Sequence, residues 1–203
     1  MRRLNDLIIR WSRRWWPLLA AAVAGLVSFQ LLVLIGERFA AVTGGYQPFD
    51  LQNPLSLQAM QEQLPRYTAA SRTLYWIFIA ADMVFPVAAA LPLALLLAKA
   101  LRGIDRVWAA SALRRGVALM PFLVAVLDWI ENGFFVATVA LHPREITTWA
   151  TLALAMKTTK VGLLLLLNPM IAGLALGAMI AWLAARRTSP DPGQERRTMR
   201  PDP

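Results

Sequence analysis

A segment past the middle of the chain reads PFLVAVLDWIEN, residues 121–132, and it places polar side chains inside a run that is otherwise apolar over residues 117–141. On a helix, Asp128, Glu131 and Asn132 occupy positions i, i+3 and i+4, so they share one face. An ionised carboxylate at mid-membrane depth costs about 2.5–3.5 kcal/mol on insertion scales. The two carboxyls therefore need partners, protonation or water, and we expect the rest of the chain to enclose this face.

Composition indicates that lipid is the main solvent of this chain. Of its 203 residues, 58% are hydrophobic and 16% are charged, whereas a soluble domain carries about 25% charged residues. The net charge of +9 would suit nucleic acid, but the basic residues lie in short clusters beside apolar runs, which is typical of membrane orientation signals. We therefore expect the lipid bilayer as partner and no nucleic acid.

The supply of reactive side chains is narrow. The chain has no Cys and only one His, His142. Disulfides, thiol chemistry and thiolate metal sites are excluded, and a His-based metal cluster is disfavoured. The sequence also lacks a phosphate-binding Gly loop, a nucleophile elbow and a His-Glu-x-x-His helix. We predict no metal and no cofactor, and whether the protein is an enzyme stays open.

Four apolar runs predict an all-α fold, a polytopic four-helix transmembrane bundle. Each run is long enough to cross a hydrocarbon core of about 30 Å at about 1.5 Å per residue. An Arg-rich start resembles a signal peptide, but its Ala22-Val23-Ala24 site comes too early in the apolar run, so an uncleaved first span is favoured. The predicted spans are residues 17–36, 73–98, 117–141 and 161–185.

The remaining segments complete a membrane domain over residues 1–187. Residues 37–72 form an outer loop, in which residues 55–63 are either a short amphipathic helix at the membrane surface or a solvated loop. Residues 146–160 are a helical lead-in at the outer surface, because two spans within residues 146–185 would place the last arginines outside. Residues 188–203 are predicted to be a disordered cytoplasmic tail.

Charge distribution predicts the orientation. The amino terminus, the loop over residues 99–115 and the carboxy-terminal residues 186–203 hold five Lys and Arg residues each, so these segments contain 15 of the 21 in the chain. By the positive-inside rule, both termini are cytoplasmic and the protein is a multi-pass inner (plasma) membrane protein. Four tryptophans are predicted to be membrane-interface anchors: Trp15, Trp16, Trp149 and Trp182.

Carboxyl groups of the second and third spans are expected to converge at similar depth. With this orientation Asp82 of the second span lies about 13 Å below the outer boundary, and Glu131 lies at nearly the same depth. Two lysines of the fourth span enter from above. The predicted pocket faces outward, is open to water and contains Asp82, Asp128, Glu131, Asn132, Lys160, Lys157 and His142.

Three hypotheses account for such a pocket. The first is that it binds or moves a small cationic or amphipathic molecule or protons, which would need a homo-oligomer or a partner membrane subunit because four helices are few for a transporter. The second is an intramembrane enzyme acting on a lipid headgroup, with Glu131 or Asp128 as base and Lys160 holding a phosphate. The third is a structural or accessory membrane subunit, in which ion pairs only hold helix register.

Several short motifs resemble an uncharacterised family of small bacterial four-helix integral membrane proteins. They are Asp82 with Phe85-Pro86 in the second span, Leu119-Met120-Pro121 and Asp128-x-x-Glu131-Asn132 in the third, Thr158-Thr159-Lys160 at the entry to the fourth, and Tyr46-x-x-Phe49-Asp50 after the first. The sequence departs from the family pattern after Lys160, where Val161 stands in place of an aromatic residue. The resemblance implies the architecture, a bacterial inner membrane and this set of polar positions, and it implies no established activity.

Overall fold

The computed structural model describes the chain over residues 1–188, without the side chains of residue 182 and residues 185–188. Over this range the chain is all-helical and contains no β-strand. The helices are α1 (Arg2–Trp11), α2 (Trp16–Thr43), α3 (Leu57–Gln63), α4 (Ala69–Asp82), α5 (Phe85–Gly103), α6 (Val107–Arg114), α7 (Pro121–Leu141) and α8 (Ile146–Thr188). The predicted tail lies outside the described residues apart from its first residue, and so does the side chain of Trp182.

Four helical segments among the described residues are long and apolar enough to cross a membrane: Trp16–Thr43, Ala69–Gly103, Val117–Leu141 and Ile146–Ala181. Each overlaps one of the predicted spans, which confirms the all-α prediction with four membrane-spanning candidates. Local sequence explains their ends. Helix α2 begins with Pro17 in its first turn and ends at Gly44, which adopts the left-handed conformation that terminates helices.

The second candidate span is broken next to its only acidic residue. Helix α4 ends at Asp82 and α5 begins at Phe85. Pro86 has no N–H for the Asp82 carbonyl, and its ring would clash with that carbonyl in a continuous helix. The indole Nε1 of Trp129 donates to the Met83 carbonyl at 2.9 Å, which satisfies another acceptor at the break. Proline therefore positions the break, and α7 stabilises it.

Helix α8 is the longest element, with 43 residues from Ile146 to Thr188, or about 65 Å at 1.5 Å per residue. The predicted lead-in and the predicted fourth span are parts of this one helix, and Pro169 lies inside it. Lys157 and Lys160 therefore lie three to four turns from its start, where α8 packs against α7.

At one end of the bundle, the loop between α2 and α4 folds onto the helices around an aromatic core. Phe39, Phe49, Tyr67, Tyr75 and Phe135 are buried there and their rings contact one another. Residues 57–63 form helix α3, capped by the Ser56 side chain, which accepts from the Ala59 N–H. Met60 and Leu64 are fully buried in the same core, so α3 packs into the bundle, and the interpretation of this segment as a solvated loop is wrong.

At the opposite end, the amphipathic helix α1 packs against α5 and α6. Ile8 is buried among apolar residues of this end, and the Asn5 amide donates to the Leu113 carbonyl at 2.9 Å. The Lys99 ammonium donates to the Ser12 carbonyl at 3.1 Å. The basic segment over residues 99–115, expected to be a loop, is mostly helical, because α5 continues to Gly103 and α6 follows it.

Candidate functional site

The polar face of α7 lies against α4, α8 and the loop between α2 and α4, which we call the outer loop after its predicted side of the membrane. Charged residues from all four segments meet there. We call this group the acid–lysine cluster; it consists of Asp50, Asp82, Asp128, Glu131, Asn132, Lys157 and Lys160. Asp82, Glu131 and Asn132 are completely buried, and Asp128 is 6% exposed. The spacing i, i+3, i+4 places the three α7 residues on one face as expected, and packing turns that face inward.

Lys160 lies at the centre of the cluster. Its Nζ is 2.6 Å from Asp128 Oδ1, 2.6 Å from Glu131 Oε2 and 2.9 Å from Asp50 Oδ1. These are short distances for charge-assisted contacts. One ammonium group with three N–H donors thus contacts three carboxylates that come from α7 and the outer loop.

Lys157, one turn earlier on α8, binds mainly to backbone oxygens. Its Nζ donates to the Asp50 carbonyl at 2.6 Å and lies 3.4 Å from the Phe49 carbonyl. Its carboxylate contacts are longer, 3.9 Å to Glu131 Oε1 and 4.0 Å to Asp50 Oδ1. Lys157 therefore holds the outer loop in place, while Lys160 balances the buried charge.

Asn132 joins the second candidate span to this network. Its Nδ2 donates to Asp82 Oδ2 at 2.8 Å and to Asp128 Oδ2 at 3.2 Å. Among residues 1–188 Asp82 forms no ion pair with a lysine. Asp82 Oδ1 and Asn132 Oδ1 are both buried without a hydrogen-bond partner from the described protein atoms. The Asn132 amide thus connects Asp128, which pairs with Lys160, to Asp82, which has no lysine partner in this part of the chain.

Asp50 belongs to the cluster, but it was not among the candidates predicted from sequence. A short 3-10 turn, Phe49–Leu51, carries it, and the fully buried Phe49 ring anchors this turn in the aromatic core. Gly36 of α2 leaves room for the Leu51 side chain, because a Cβ there would lie 2.7 Å from Leu51 Cδ1. In the sequence, the element Tyr46-x-x-Phe49-Asp50 pointed to Asp50. A loop residue has no helix position from which its depth in the membrane can be calculated, so its contact with the cluster could not be predicted.

Electrostatics at Asp50 favour the carboxylate. Burial raises the pKa of Asp50, but the nearby Lys160 and Lys157 ammonium groups lower it by more, so the pKa lies below its ordinary value of 3.8. Asp50 is outside the four span candidates. The outer loop is therefore attached to α8 by a charged pair and not only by apolar packing.

The cluster contains more acidic groups than basic ones. Four carboxyls, Asp50, Asp82, Asp128 and Glu131, face two ammonium groups, Lys157 and Lys160. If every group were ionised, the site would carry two excess negative charges. Uncompensated charge is costly in a buried site. Chemically, the arrangement can take up protons or a cation.

A cavity of about 180 Å³ adjoins the cluster between α5, α7 and α8. Its polar lining is Asp50, Asp128, Lys160 and Asn168, and the rest is apolar, including Phe85, Pro86, Leu93, Leu164 and Leu167. The outer loop covers the cluster with Phe49 and with Asp50, which is the loop's contribution to the cavity lining. The open volume thus leads away from the loop along an apolar path.

Three residues of the cluster could together hold a metal ion. One carboxylate oxygen each from Asp50, Asp128 and Glu131 lies within 4.8 Å of the others. The Lys160 ammonium lies 2.6–2.9 Å from these same three groups. A metal ion would therefore have to displace Lys160.

The other predicted residues lie elsewhere. His142 is half-buried at the end of α7, eleven residues beyond Glu131 and so about 16 Å along the helix. Trp15 and Trp16 are 62% and 61% exposed, while Trp149 is half-buried with its ring 6.1 Å from that of Phe134. The structure thus brings together six of the seven predicted pocket residues and leaves His142 apart.

The chain matches no family model, no curated protein and no solved structure.

Proposed function

We propose that this chain is a four-span inner-membrane protein whose acid–lysine cluster binds small cations and moves protons in exchange for them. The observation that carries the proposal is the position of the Lys160 ammonium among three carboxylates, beside a fourth carboxyl without a lysine. The clustering of Lys and Arg in the amino terminus, the central segment and the tail supports an orientation with both termini in the cytoplasm.

In this proposal Lys160 acts as a tethered cation that a free cation can replace. Its side chain is flexible, and within residues 1–188 the side chains that hold its ammonium are those of Asp50, Asp128 and Glu131. A proton on either α7 carboxyl would weaken that hold, and a cationic ligand would compete for the same oxygens. Binding of a cation and the protonation state of the cluster are therefore coupled.

Asp82 is the proposed proton carrier. It is buried, it accepts one hydrogen bond from Asn132, and its Oδ1 has no hydrogen-bond partner in the described part of the chain. A neutral carboxylic acid is tolerated in such a site far better than a carboxylate. Because Asn132 also donates to Asp128, a change of charge at either aspartate affects the other through one amide.

The adjoining cavity supports a ligand with a cationic head and an apolar body. Its polar end is formed by the cluster and its walls are apolar. Entry from the outer side would require the Asp50 turn to lift from Lys157 and Lys160, which hold it through polar contacts. We propose that movement across the whole membrane uses a second copy of the chain or a partner subunit.

The enzyme alternative, in which Lys160 holds the phosphate of a lipid headgroup, has less support. The Lys160 ammonium already contacts three carboxylates. A phosphate would meet those same negative groups, and repulsion between them opposes binding.

The test uses the purified full-length protein in detergent and butyltrimethylammonium, a small amphipathic cation that carries no titratable proton. We expect calorimetric binding and a simultaneous proton release into weakly buffered solution. Asp82→Asn should bind the cation and release no proton, whereas Asp6→Asn, the same change on the exposed face of α1, should behave as the wild type.

Two outcomes would contradict the proposal. If the wild type neither binds the cation nor releases protons, while amide variants of the cluster fail to accumulate, the charges hold the helices together and the structural hypothesis is favoured. If Asp82→Asn releases protons as the wild type does, Asp82 is not the carrier.

A further inference from the structure

A second cavity lies at the opposite end of the bundle, where α1 meets α6 and the first half of α7. It has a volume of about 450 Å³, within the usual range of ligand sites. We call it the arginine groove, because Arg2, Arg114 and Arg115 line one end. The acid–lysine cluster does not contribute to it.

The charged side chains that line the arginine groove are all basic. None of its lining residues is Asp or Glu. Arg2, Arg114 and Arg115 are exposed, and in the part of the chain that the structure describes none of them forms an ion pair. Three unpaired guanidinium groups at one end of a cavity favour a phosphate, which each can bind through a fork of two donors.

The other wall of the groove is apolar and faces outward from the bundle. Leu123, Val126 and Trp129 line it and are 53%, 46% and 42% exposed. From Leu119 to Trp129 the wall extends ten residues along the chain, about 15 Å at 1.5 Å per residue. This is about half of a hydrocarbon core of about 30 Å, the depth of one leaflet.

We propose that the arginine groove is a binding site for one anionic phospholipid. Its phosphate lies among Arg2, Arg114 and Arg115, and one acyl chain follows Leu123 and Val126 to Trp129. Basic pockets beside membrane helices are suited to anionic headgroups in this way. A soluble anion would use only the arginines, whereas a phospholipid would also cover the apolar wall, which is as long as one leaflet is deep. The groove therefore favours a lipid.

Such a lipid also binds to α1. Arg2 is on α1, and that helix is joined to α6 by the hydrogen bond from the Asn5 amide to the Leu113 carbonyl. A lipid between α1 and α7 therefore stabilises the packing of the amino-terminal helix. The site is independent of the function proposed for the acid–lysine cluster, since they share no residue.

Native mass spectrometry of the full-length protein, titrated with phosphatidylglycerol or phosphatidylcholine in mixed micelles, tests the proposal. We expect one tightly retained phosphatidylglycerol, and about tenfold weaker retention in the double variant Arg114→Gln/Arg115→Gln. The matched control is Arg13→Gln/Arg14→Gln, an adjacent exposed pair that does not line the groove. A second variant, Leu123→Trp, fills the apolar wall without changing charge and should also weaken retention.

Each remaining result decides against a lipid site. Equal retention of phosphatidylcholine, or equal losses in the two arginine pairs, would mean unspecific surface charge. Glycerol 1-phosphate competing as strongly as the lipid would mean a soluble phosphate site. Unchanged retention in Leu123→Trp would mean that no acyl chain lies along α7, and this result does not depend on how well the arginine variants fold.

Discussion

The two ends of the bundle differ in the burial and pairing of their basic side chains. At the end covered by the outer loop, Lys157 and Lys160 are buried and held by carboxylates and carbonyls. At the other end, Arg114 and Arg115 are exposed and without ion-pair partners among residues 1–188. The net charge of +9 hides this difference, because the buried cluster is acidic and the arginine groove is basic. The role of a charged residue therefore depends on its position in the fold more than on the net charge of the chain.

The largest effect should follow from removing the central cation. Lys160→Met leaves Asp50, Asp128 and Glu131 without their shared ammonium, and breaking a buried ion pair costs about 3–5 kcal/mol. The measurement is the free energy of unfolding in mixed micelles. The matched control is Lys99→Met at the other end, which loses one backbone hydrogen bond and a contact with the Trp15 ring and should cost about 1 kcal/mol. Equal losses would remove the contrast between the two ends.

A smaller effect should separate the two aspartates that Asn132 joins. Asp128→Asn removes the charge that holds Lys160 at 2.6 Å and should lower the free energy of unfolding by about 1–3 kcal/mol. Asp82→Asn removes a carboxyl that has no lysine and keeps an acceptor for Asn132, so it should cost less than about 1 kcal/mol. The reverse order would show that Asp82 has a cationic partner.

The outer loop should make stability sensitive to acid. The pKa of Asp50 is lowered in the folded protein, so its ion pairs contribute stability above its ordinary pKa of 3.8, and that stability is lost as the pH falls through the lowered value. Unfolding followed from pH 6 to about pH 2 should show a weaker decline for Asp50→Asn than for the wild type. Parallel declines would mean that Asp50 is not charged in the folded state.

The smallest effect should come from the amino-terminal helix. Asn5→Ala removes the hydrogen bond to the Leu113 carbonyl and should cost about 1 kcal/mol. Because α1 is at the groove end, its amides should exchange hydrogen faster while those of α7 near Glu131 stay protected. Faster exchange at both ends would mean that the bundle unfolds as one unit.

Much of the candidate site was predictable because helix geometry is local. The spacing of Asp128, Glu131 and Asn132 placed them on one face, and the predicted orientation brought Asp82 and Glu131 to similar depth, with Lys160 entering from above. His142 shares that face but follows Glu131 by eleven residues, about 16 Å along the helix axis, so its side chain is too far away to join the cluster.

Sequence alone determined the four apolar runs, the polar face of α7 and the proline that breaks the second span, because all three depend on residues within a few helical turns. Tertiary structure decided the rest. It placed Asp50 against Lys160, 110 residues away in the chain, it covered the cluster with Asp50 and Phe49 of the outer loop, and it gathered three arginines beside an apolar wall. These features depend on contacts between distant segments, and no local periodicity encodes which loop residue such contacts will bury.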